Sequence, residues 1–561
     1  MTPNPATRTG GQMVAQALRI HGVDHVFCVP GESFLPVLDG LYGERERIRT
    51  IVCRQEGGAA HMAEAYAKLT GKPGVCLVTR GPGSTNASIG VHTARQDSTP
   101  LVLLVGQVSR DVLGREAWQE IDVARMFTPI AKWATQIDDV ARVPELLSRA
   151  FHVASSGRPG PVVVALPEDV LYAESDAADA APYQRAQASP KPADVSRMAA
   201  MIAAAERPLV ILGGGDWNAQ ACADIESFCT AFQLPVATAF RRQDLIDNRG
   251  ANFAGDMGIG INPKLAQRVR DSDLLVAIGP RLGETTTSGY TLIGVPRPKQ
   301  KLIHVHADPD ELGRVYHADL MIVSGMPEFA SAVRALKAPE SCAWGDRARS
   351  AHADYLQTLE HSTMPGSVDL GEIMAYLREH LPADTIVTNG AGNYAGWVHR
   401  FYQYRGFRTQ LAPTSGVMGY GIPAACAAAL VHPSRTVVCF AGDGCFQMTS
   451  QELATAKQYG LRIVFIVVNN GIYGSIRMHQ EMHYPGRVHA TSIENPDFPA
   501  LAAAYGMTGC KVERTGDFVP AFRNALGAPS SSLIELRIDP EAITTRTTLS
   551  ALRRAAESRR A

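Results

Sequence analysis

The chain has 561 residues, of which 45% are hydrophobic and 19% are charged, and its formal net charge is -1. This composition is typical of a globular protein of roughly three to four domains, and the near-neutral charge excludes a broad electrostatic surface for nucleic acid or membrane. Because no apolar run reaches about 18 residues and the N-terminus lacks a hydrophobic signal core, we expect a cytoplasmic protein.

Apolar, strand-like runs recur along the chain, and most are separated by stretches long enough for a crossover helix. This alternation predicts an α/β fold with parallel sheets. Two composition shifts, Ala173–Val195 and Ala338–Ser367, lack an apolar period and predict three domains, at 1–175, 190–340 and 366–545. The runs are Val75–Val78, Leu101–Val105, Val162–Leu166, Leu209–Leu212, Leu274–Ile278, Leu302–Val305, Val437–Phe440 and Ile463–Val468.

In the first domain, two segments combine turn glycines with polar groups. The segment Arg54–Ala63 places the carboxylate of Glu56 before two glycines and a helix of small residues, where a carboxylate is favoured by the helix dipole. The segment Arg80–Asn86 follows a predicted strand and is either a structural turn or a loop pressed against a ligand. From these residues alone, both segments remain open to a structural explanation.

The middle domain is expected to begin with the strand Leu209–Leu212, which runs into the glycines Gly213–Gly215. A strand that ends in glycines is compatible with a dinucleotide that approaches the backbone. A structural turn explains the same pattern equally well. The glycine cluster therefore leaves nucleotide binding open.

A strand-like run in the third domain, Val437–Phe440, leads into the turn Gly442–Gly444, whose central residue is Asp443. A second run, Ile463–Val468, ends at a pair of asparagines, the second of which is Asn470. Because the carboxyl ends of parallel strands meet at the same edge of a sheet, we expect Asp443 and Asn470 to face one another. A carboxylate and an amide oxygen are ligands suited to Mg²⁺ or Ca²⁺.

Two further patterns in the third domain predict local structure. Thr449 and Glu452 match a capping box, so we expect a helix from Thr449 to Tyr459 that is closed by Gly460. The last sixteen residues are rich in arginine. Such a composition is typical of a solvated tail, and a lid over an active site is the alternative.

Together these motifs resemble the thiamine diphosphate enzymes, in particular their acetolactate synthase branch. The resemblance implies pyrimidine-binding, central Rossmann-like and diphosphate-binding domains, each a doubly wound parallel sheet. It also implies a homodimer or homotetramer with active sites between subunits, and it leaves FAD and a regulatory small subunit open. The motifs that carry it are RQEGGAAHMAEAYA from Arg54, GPGSTN from Gly81, WQE from Trp118, SGRPGPV from Ser156, GVMGYGIPAA from Gly416, and GDG followed by NN.

The resemblance assigns roles to residues at matching positions. Glu56 matches the glutamate that hydrogen-bonds the pyrimidine N1′ atom and shares a proton with the ring. Asp443, Asn470 and the backbone carbonyl of Ile472 match the Mg²⁺ ligands. Met418 matches the bulky residue on which the cofactor bends. Further cofactor contacts are expected from Ala391, Gly392, Asn393, Tyr394, Gly416, Gly442, Gly444 and Cys445.

Departures from the family pattern concern the substrate more than the cofactor. The family lysine after SGRPGPV is replaced by Glu168, and the second arginine of the family's RFDDR motif is replaced by Thr285. The loss of that arginine removes a charged fork suited to a carboxylate. The family tryptophan that shapes acceptor choice aligns with His479. We expect substrate contacts from Gln119, Arg281 and His479.

The sequence therefore predicts a thiamine diphosphate- and Mg²⁺-dependent enzyme that decarboxylates a pyruvate-like 2-oxo acid and transfers the acyl carbanion to a carbonyl acceptor. A 2-oxo acid decarboxylase and a 2-hydroxyacyl lyase of the same family are the alternatives. A non-catalytic FAD-binding or scaffold protein is disfavoured, because a scaffold needs none of Glu56, Asp443 and Asn470 together. The expected partners are a small 2-oxo acid and further copies of the chain.

Overall fold

The computed structural model describes residues 7–560, and these divide into two compact units. The first unit contains the described residues up to Ala186 together with Cys426–Val431, and the second contains Gln187–Ala425 together with the described residues from His432 onward. Three six-stranded parallel sheets lie among the helices, one in the first unit and two in the second. The predicted α/β fold with three doubly wound parallel-sheet domains is confirmed.

The first sheet has three central strands that are buried along their whole length, as expected when helices cover a parallel sheet, and partly exposed edge strands. The strands of the first unit are β1 Arg8–Thr9, β2 His25–Cys28, β3 Arg49–Val52, β4 Gly74–Val78, β5 Leu101–Gln107, β6 Trp133–Gln136, β7 Pro161–Pro167 and β8 Glu174–Ser175. The helices are α1 Gly10–Ile20, α2 Leu35–Gly43, α3 Glu56–Thr70, α4 Gly81–Asp97, α5 Val123–Phe127, α6 Val143–Ser155 and α7 Glu168–Tyr172. The sheet order is β3-β2-β4-β5-β7-β6, and β1 pairs with β8 outside it.

The middle sheet is also a parallel sheet covered by helices, and the predicted apolar runs form its inner strands. Its strands are β9 Pro208–Leu212, β10 Val236–Ala239, β11 Phe253–Met257, β12 Leu274–Ile278, β13 Lys301–His306 and β14 Leu320–Val323. Its helices are α8 Pro192–Ala203, α9 Ala219–Ala231, α10 Pro263–Asp271, α11 Met326–Arg334 and α12 Gly345–Thr358. The order β11-β10-β9-β12-β13-β14 places the predicted strands β9, β12 and β13 inside the sheet, where their side chains are buried.

The third sheet has the order β16-β15-β17-β18-β20-β19, so β17 and β18 are central neighbours. Its strands are β15 Ile386–Asn389, β16 Gln410–Leu411, β17 Val437–Gly442, β18 Val464–Asn469, β19 Thr508–Val512 and β20 Ser532–Arg537. The helices are α13 Leu370–His380, α14 Ala395–Phe401, α15 Gly421–Val431, α16 Asp443–Gln447, α17 Leu453–Gln458, α18 Gly474–His483, α19 Phe498–Ala504, α20 Phe518–Gly527 and α21 Leu549–Ser558. Along residues 7–560, no helix combines the length and apolar character that a membrane span needs.

The predicted helix from Thr449 to Tyr459 is wrong at its start. The structure has a short 3₁₀ helix, Ser450–Glu452, before α17, and no side chain caps it. The hydroxyl of Thr449 donates instead to the carbonyl of Gly419 (2.7 Å), and Glu452 is fully buried. The predicted Gly460 cap does adopt the left-handed backbone, with φ of 61°.

Candidate active site

Asp443 lies at the carboxyl end of β17, where it begins α16, and its side chain is buried. One carboxylate oxygen accepts from the backbone N–H of Gly444 (2.9 Å). The other accepts from the N–H of Gly471 (2.8 Å) and from the side-chain amide of Asn495 (2.8 Å). Burial raises the pKa of Asp443 above its ordinary value, and these donors oppose the rise. The structure thus holds a buried carboxylate in a fixed direction, with a desolvation cost that a bound cation would offset.

The turn that carries Asn470 lies next to Asp443, as the sheet topology predicts. β17 and β18 pair in parallel, with Gly442 opposite Val468, so their carboxyl ends meet. The side-chain oxygen of Asn470 accepts from the N–H of Ile472 (3.2 Å). Ile472 itself pairs with Ser492 in an isolated β-bridge, which fixes its backbone. The structure therefore brings the Asp443 carboxylate beside the turn that carries the Asn470 amide and the Ile472 carbonyl.

Asn495 is a residue of this site that the sequence analysis missed. Its side-chain amide nitrogen donates both to Asp443 (2.8 Å) and to the side-chain oxygen of Asn469 (2.9 Å). Its side-chain oxygen accepts from Gln447 (2.7 Å). No local pattern marks it, because it lies 52 residues from Asp443. Asn495 orients the carboxylate that the sequence did identify.

The thiol of Cys445 joins three turns at the carboxyl edge of the third sheet. Its sulfur accepts from the N–H of Gly419 (3.2 Å) and lies 3.5 Å from the hydroxyl of Tyr394. That hydroxyl also accepts from the N–H of Gly390 (3.0 Å). Burial raises the pKa of Tyr394 far above its ordinary value, so the phenol stays protonated. Cys445 and Tyr394 therefore hold the loops that carry Gly390 and Gly419 in place through buried hydrogen bonds.

The remaining predicted contacts lie on the same loops. The side chain of Asn393 accepts from Ser475 (2.7 Å) and donates to the carbonyl of Ile543 (2.9 Å), which ties its loop to α18. Gly416 has φ of 68°, a conformation that glycine adopts without strain, and its N–H donates to the carbonyl of Pro413 (3.2 Å). Met418 is half-buried and packs on the edge of the apolar core. Ala391 and Gly392 complete the loop after β15.

Glu56 lies in the first unit, at the first residue of α3. The carboxylate accepts from the side-chain amide of Asn86 (2.9 Å) on α4. Small residues allow the two helices to pack closely, because a Cβ atom at Gly90 would lie only 2.4 Å from the Cβ of Ala60. Asn86 belongs to the GPGSTN motif, but the sequence analysis gave it no role. The hydrogen bond from Asn86 therefore fixes the orientation of the Glu56 carboxylate.

Comparisons with known proteins agree with this geometry. Family models of the thiamine pyrophosphate enzymes match at residues 8–126 (N-terminal TPP binding domain), 195–333 (central domain) and 390–536 (C-terminal TPP binding domain). The chain belongs to the thiamine pyrophosphate enzyme family. It is 33% identical to the acetolactate synthase large subunit of Parasynechococcus marenigrum, over 95% of this chain and 88% of that protein. It is 31% identical to acetolactate synthase isozyme 2 large subunit of Escherichia coli, over 94% of this chain and 95% of that protein.

The predicted family, and with it a thiamine diphosphate-dependent enzyme resembling acetolactate synthase, is confirmed. Thiamine pyrophosphate and thiamine diphosphate are the same cofactor. The individual site residues stay predictions, because family membership does not test the role of a single side chain.

The three predicted substrate residues lie on different elements. Gln119 adopts φ of 62°, and its carbonyl accepts from the N–H of Gly81 (2.9 Å) in the first unit. Arg281 is half-buried after β12 in the second unit. His479 is exposed on α18, where its ring stacks on His483 with the centroids 6.2 Å apart. These residues also stay predictions.

The arginine-rich C-terminus is not the solvated tail that its composition predicts. It forms α21, and the guanidinium of Arg553 binds the carboxylate of Glu481 on α18 through two hydrogen bonds (2.8 and 2.6 Å). Arg477 binds the same carboxylate (2.8 Å), and Arg560 donates to the carbonyl of His483. Composition alone missed the helix because two arginines of this segment, Arg553 and Arg560, have partners on a distant element. This clamp fixes α18, which also holds Asn393.

Replacing Glu481 with glutamine is expected to loosen α21 by about 2 kcal/mol, because the bonds to the Arg553 guanidinium lose their charge. The hydrogen bonds from Arg553 lower the pKa of Glu481 from 4.5 to about 2. The stabilisation is therefore complete above pH 4.5 and disappears as the pH falls toward 2. Hydrogen exchange of α21 at several pH values measures this. The exposed Glu513 provides the control in Glu513→Gln, and equal protection in wild type and Glu481→Gln at neutral pH would contradict the clamp.

Proposed function

We propose that this protein is a thiamine diphosphate- and Mg²⁺-dependent enzyme that decarboxylates a pyruvate-like 2-oxo acid and joins the resulting acyl unit to a carbonyl acceptor. The observation that carries the proposal is the buried Asp443 carboxylate held beside the Asn470 turn in a member of this family. The similarity to acetolactate synthase large subunits supports the ligation step.

The donor set at Asp443 fits Mg²⁺. A carboxylate, the amide oxygen of Asn470 and the backbone carbonyl of Ile472 are hard oxygen ligands, and phosphate oxygens complete such a shell. Among the described residues, no group of three or more His, Cys, Asp and Glu side chains forms an alternative metal site. Asn495 and the Gly471 N–H would hold the carboxylate in place, as the outer groups of metal sites do.

Thiamine diphosphate, when bound, supplies the electron sink that makes the loss of carbon dioxide feasible. Glu56 would hold a proton at its carboxyl oxygen and share it with the pyrimidine N1′ atom, while Asn86 keeps the carboxyl group oriented. Arg281, Gln119 and His479 would contact the substrate. By resemblance to the family, the active enzyme is a homodimer or homotetramer with its sites between subunits.

FAD receives no support from the middle domain's glycine-rich turn. A Cβ atom at Gly214 would lie 1.9 Å from the carbonyl oxygen of Gly279, so a contact within the chain already requires this glycine. The carbonyl of Gly213 accepts from the indole N–H of Trp217 (2.8 Å). The structural-turn explanation therefore accounts for the pattern, so these glycines are no evidence for FAD, and FAD stays a prediction that product analysis with and without FAD tests.

A simple 2-oxo acid decarboxylase is the second candidate, because Thr285 stands where the family places an acceptor-binding arginine. A 2-hydroxyacyl lyase is the third. The ligase and the decarboxylase differ in the fate of the acyl unit after carbon dioxide has left. If the site excludes water and admits a carbonyl acceptor, a new carbon–carbon bond forms, whereas early protonation gives an aldehyde.

Product analysis tests the proposed function. The purified protein with thiamine diphosphate, Mg²⁺ and pyruvate is expected to release carbon dioxide and acetolactate, and a comparison of the rates with and without FAD shows whether FAD is needed. Acetaldehyde as the main product would favour the decarboxylase and overturn the ligation step. No consumption of pyruvate would reject it as donor, and a screen of other 2-oxo acids and of 2-hydroxyacyl substrates would follow.

A further inference from the structure

Arg241 is a buried arginine at an unusual place in the middle domain. It follows β10, and only 5% of the residue is exposed. Its backbone adopts φ of 60°, a left-handed conformation that is unfavourable for a residue with a side chain. Such a conformation persists only when the surrounding contacts hold it, which directs attention to what the side chain binds.

The guanidinium of Arg241 connects two loops of the third domain. One terminal nitrogen donates to the carbonyl of Gly390 (2.9 Å), and the other donates to the carbonyl of Pro413. Gly390 opens the loop after β15 that contains Asn393 and Tyr394. Pro413 is the second residue of the loop after β16, which contains Gly416 and Met418. The rigid, planar guanidinium of Arg241 thus bridges Gly390 and Pro413 and fixes the distance between them.

The residues that follow Arg241 explain how it reaches this position. The N–H of Gln243 donates to the side-chain oxygen of Gln410 on β16 (2.8 Å). The carboxylate of Asp244 accepts from the N–H groups of Arg408 (3.0 Å) and Gln410 (3.4 Å). The segment therefore runs along the edge strand β16, and this attachment places Arg241 at the strand's carboxyl end.

The guanidinium of Arg241 has hydrogen-bond acceptors in its surroundings. A buried guanidinium requires acceptors or a countercharge, and the two carbonyls supply acceptors. Asp256, near the end of β11, does not neutralise the guanidinium. Burial raises its pKa to about 8, so this carboxyl group is largely protonated at neutral pH, although the positive charge of Arg241 opposes the rise.

A displacement of Gly390 would move residues of the candidate site, because Gly390 packs on Cys445. A Cβ atom at Gly390 would lie 2.5 Å from the sulfur of Cys445, so the loop is packed directly on α16. Cys445 follows Asp443 by two residues on that short helix. The Gly390 N–H also binds the Tyr394 hydroxyl (3.0 Å). Contacts within the described residues therefore lead without a break from Arg241 to α16.

We propose that Arg241 is a positioning residue, which sets the spacing of the loops at Gly390 and Pro413 and so prepares them to bind thiamine diphosphate. This role rests on the proposed function, because it assumes that the two loops contact the cofactor. Arg241 acts through the loops and not on the substrate.

Arg241→Met removes both donated hydrogen bonds while filling similar volume. We expect the dissociation constant of thiamine diphosphate at saturating Mg²⁺ to rise by about 10- to 100-fold, as for lost supporting groups of other sites. Arg241→Lys keeps the charge but cannot present a fork, so it should recover part of the affinity. In the cofactor-free protein, hydrogen exchange at residues 390–394 and 413–418 should increase in Arg241→Met.

Arg435→Met is the matched control. Arg435 also donates to two backbone carbonyls of the third domain, those of Asp384 (2.6 Å) and Arg408 (3.3 Å), but these lie near the amino ends of the strands. Its cofactor affinity should stay within about 3-fold of wild type, a free-energy change of less than 1 kcal/mol. Equal loss of affinity in both variants would show a general effect on folding and overturn the proposal.

The remaining outcomes separate the two proposals. Wild-type protein that does not bind thiamine diphosphate with Mg²⁺ would contradict the proposed function itself. Wild-type protein that binds, together with Arg241→Met that binds equally well, would overturn only the positioning role. If Arg241→Met does not fold, Arg241→Lys decides the question, because wild-type affinity and loop protection in that variant would also overturn the role.

Discussion

Glu56→Gln is expected to lower turnover by about 100- to 10,000-fold while thiamine diphosphate binds as tightly as to the wild type. Glutamine has nearly the same shape as glutamate, but its amide cannot take up and return a proton at neutral pH. In the wild-type chain, Asn86 orients the carboxylate from 2.9 Å. The loss should therefore fall on proton transfer and leave cofactor binding intact.

Two measurements separate these effects. Cofactor affinity is obtained from a calorimetric titration, and activation is followed by NMR as deuterium exchange of the acidic thiazolium C–H in the complex. Glu46, which is exposed and lies outside the motif RQEGGAAHMAEAYA, supplies the control in Glu46→Gln. Equal turnover and exchange in Glu56→Gln and wild type would remove Glu56 from the activation step. Weaker binding with normal exchange would make it a binding residue only.

The apolar strands could be predicted from the sequence because their cause is local. The run Ile463–Val468 is apolar throughout, as a parallel strand covered on both faces must be, and the structure places β18 at Val464–Asn469. The capping box failed because a distant group competes for the same hydroxyl. Thr449 and its acceptor, Gly419, are 30 residues apart, and no local pattern records that contact.

The candidate site likewise contains residues that the sequence could predict and residues that only the structure reveals. The proximity of Asp443 and the Asn470 turn follows from a rule of sheet topology, so two short motifs were sufficient to predict it. Asn495 reaches the site by the path of a loop, and Arg241 reaches it because the segment after β10 is bound to β16. Arg241 lies 149 residues from Gly390, and its role is visible only when both carbonyls are seen around one guanidinium.

Removing the Asp443 carboxylate is expected to weaken Mg²⁺-dependent binding of thiamine diphosphate by more than about 100-fold, because loss of outer groups alone costs about 10- to 100-fold. Asp443 is the only charged ligand of the proposed set, and the Asn470 and Ile472 oxygens are neutral. The variant Asp443→Ala also leaves the Gly471 N–H without its carboxylate acceptor, which disturbs the turn. A comparison variant is therefore needed to separate the lost ligand from the disturbed turn.

Asn495→Ala provides that comparison, because it removes a donor to Asp443 but keeps the carboxylate. We expect it to weaken binding by about 10- to 100-fold, between wild type and Asp443→Ala. Asp497→Asn, two residues further on, should bind as wild type, since asparagine also caps helices. Calorimetric titration of thiamine diphosphate at several Mg²⁺ concentrations measures all three. Unchanged Mg²⁺ dependence in Asp443→Ala would exclude Asp443 as a ligand, whereas equal losses in Asp443→Ala and Asn495→Ala would assign the effect to the turn.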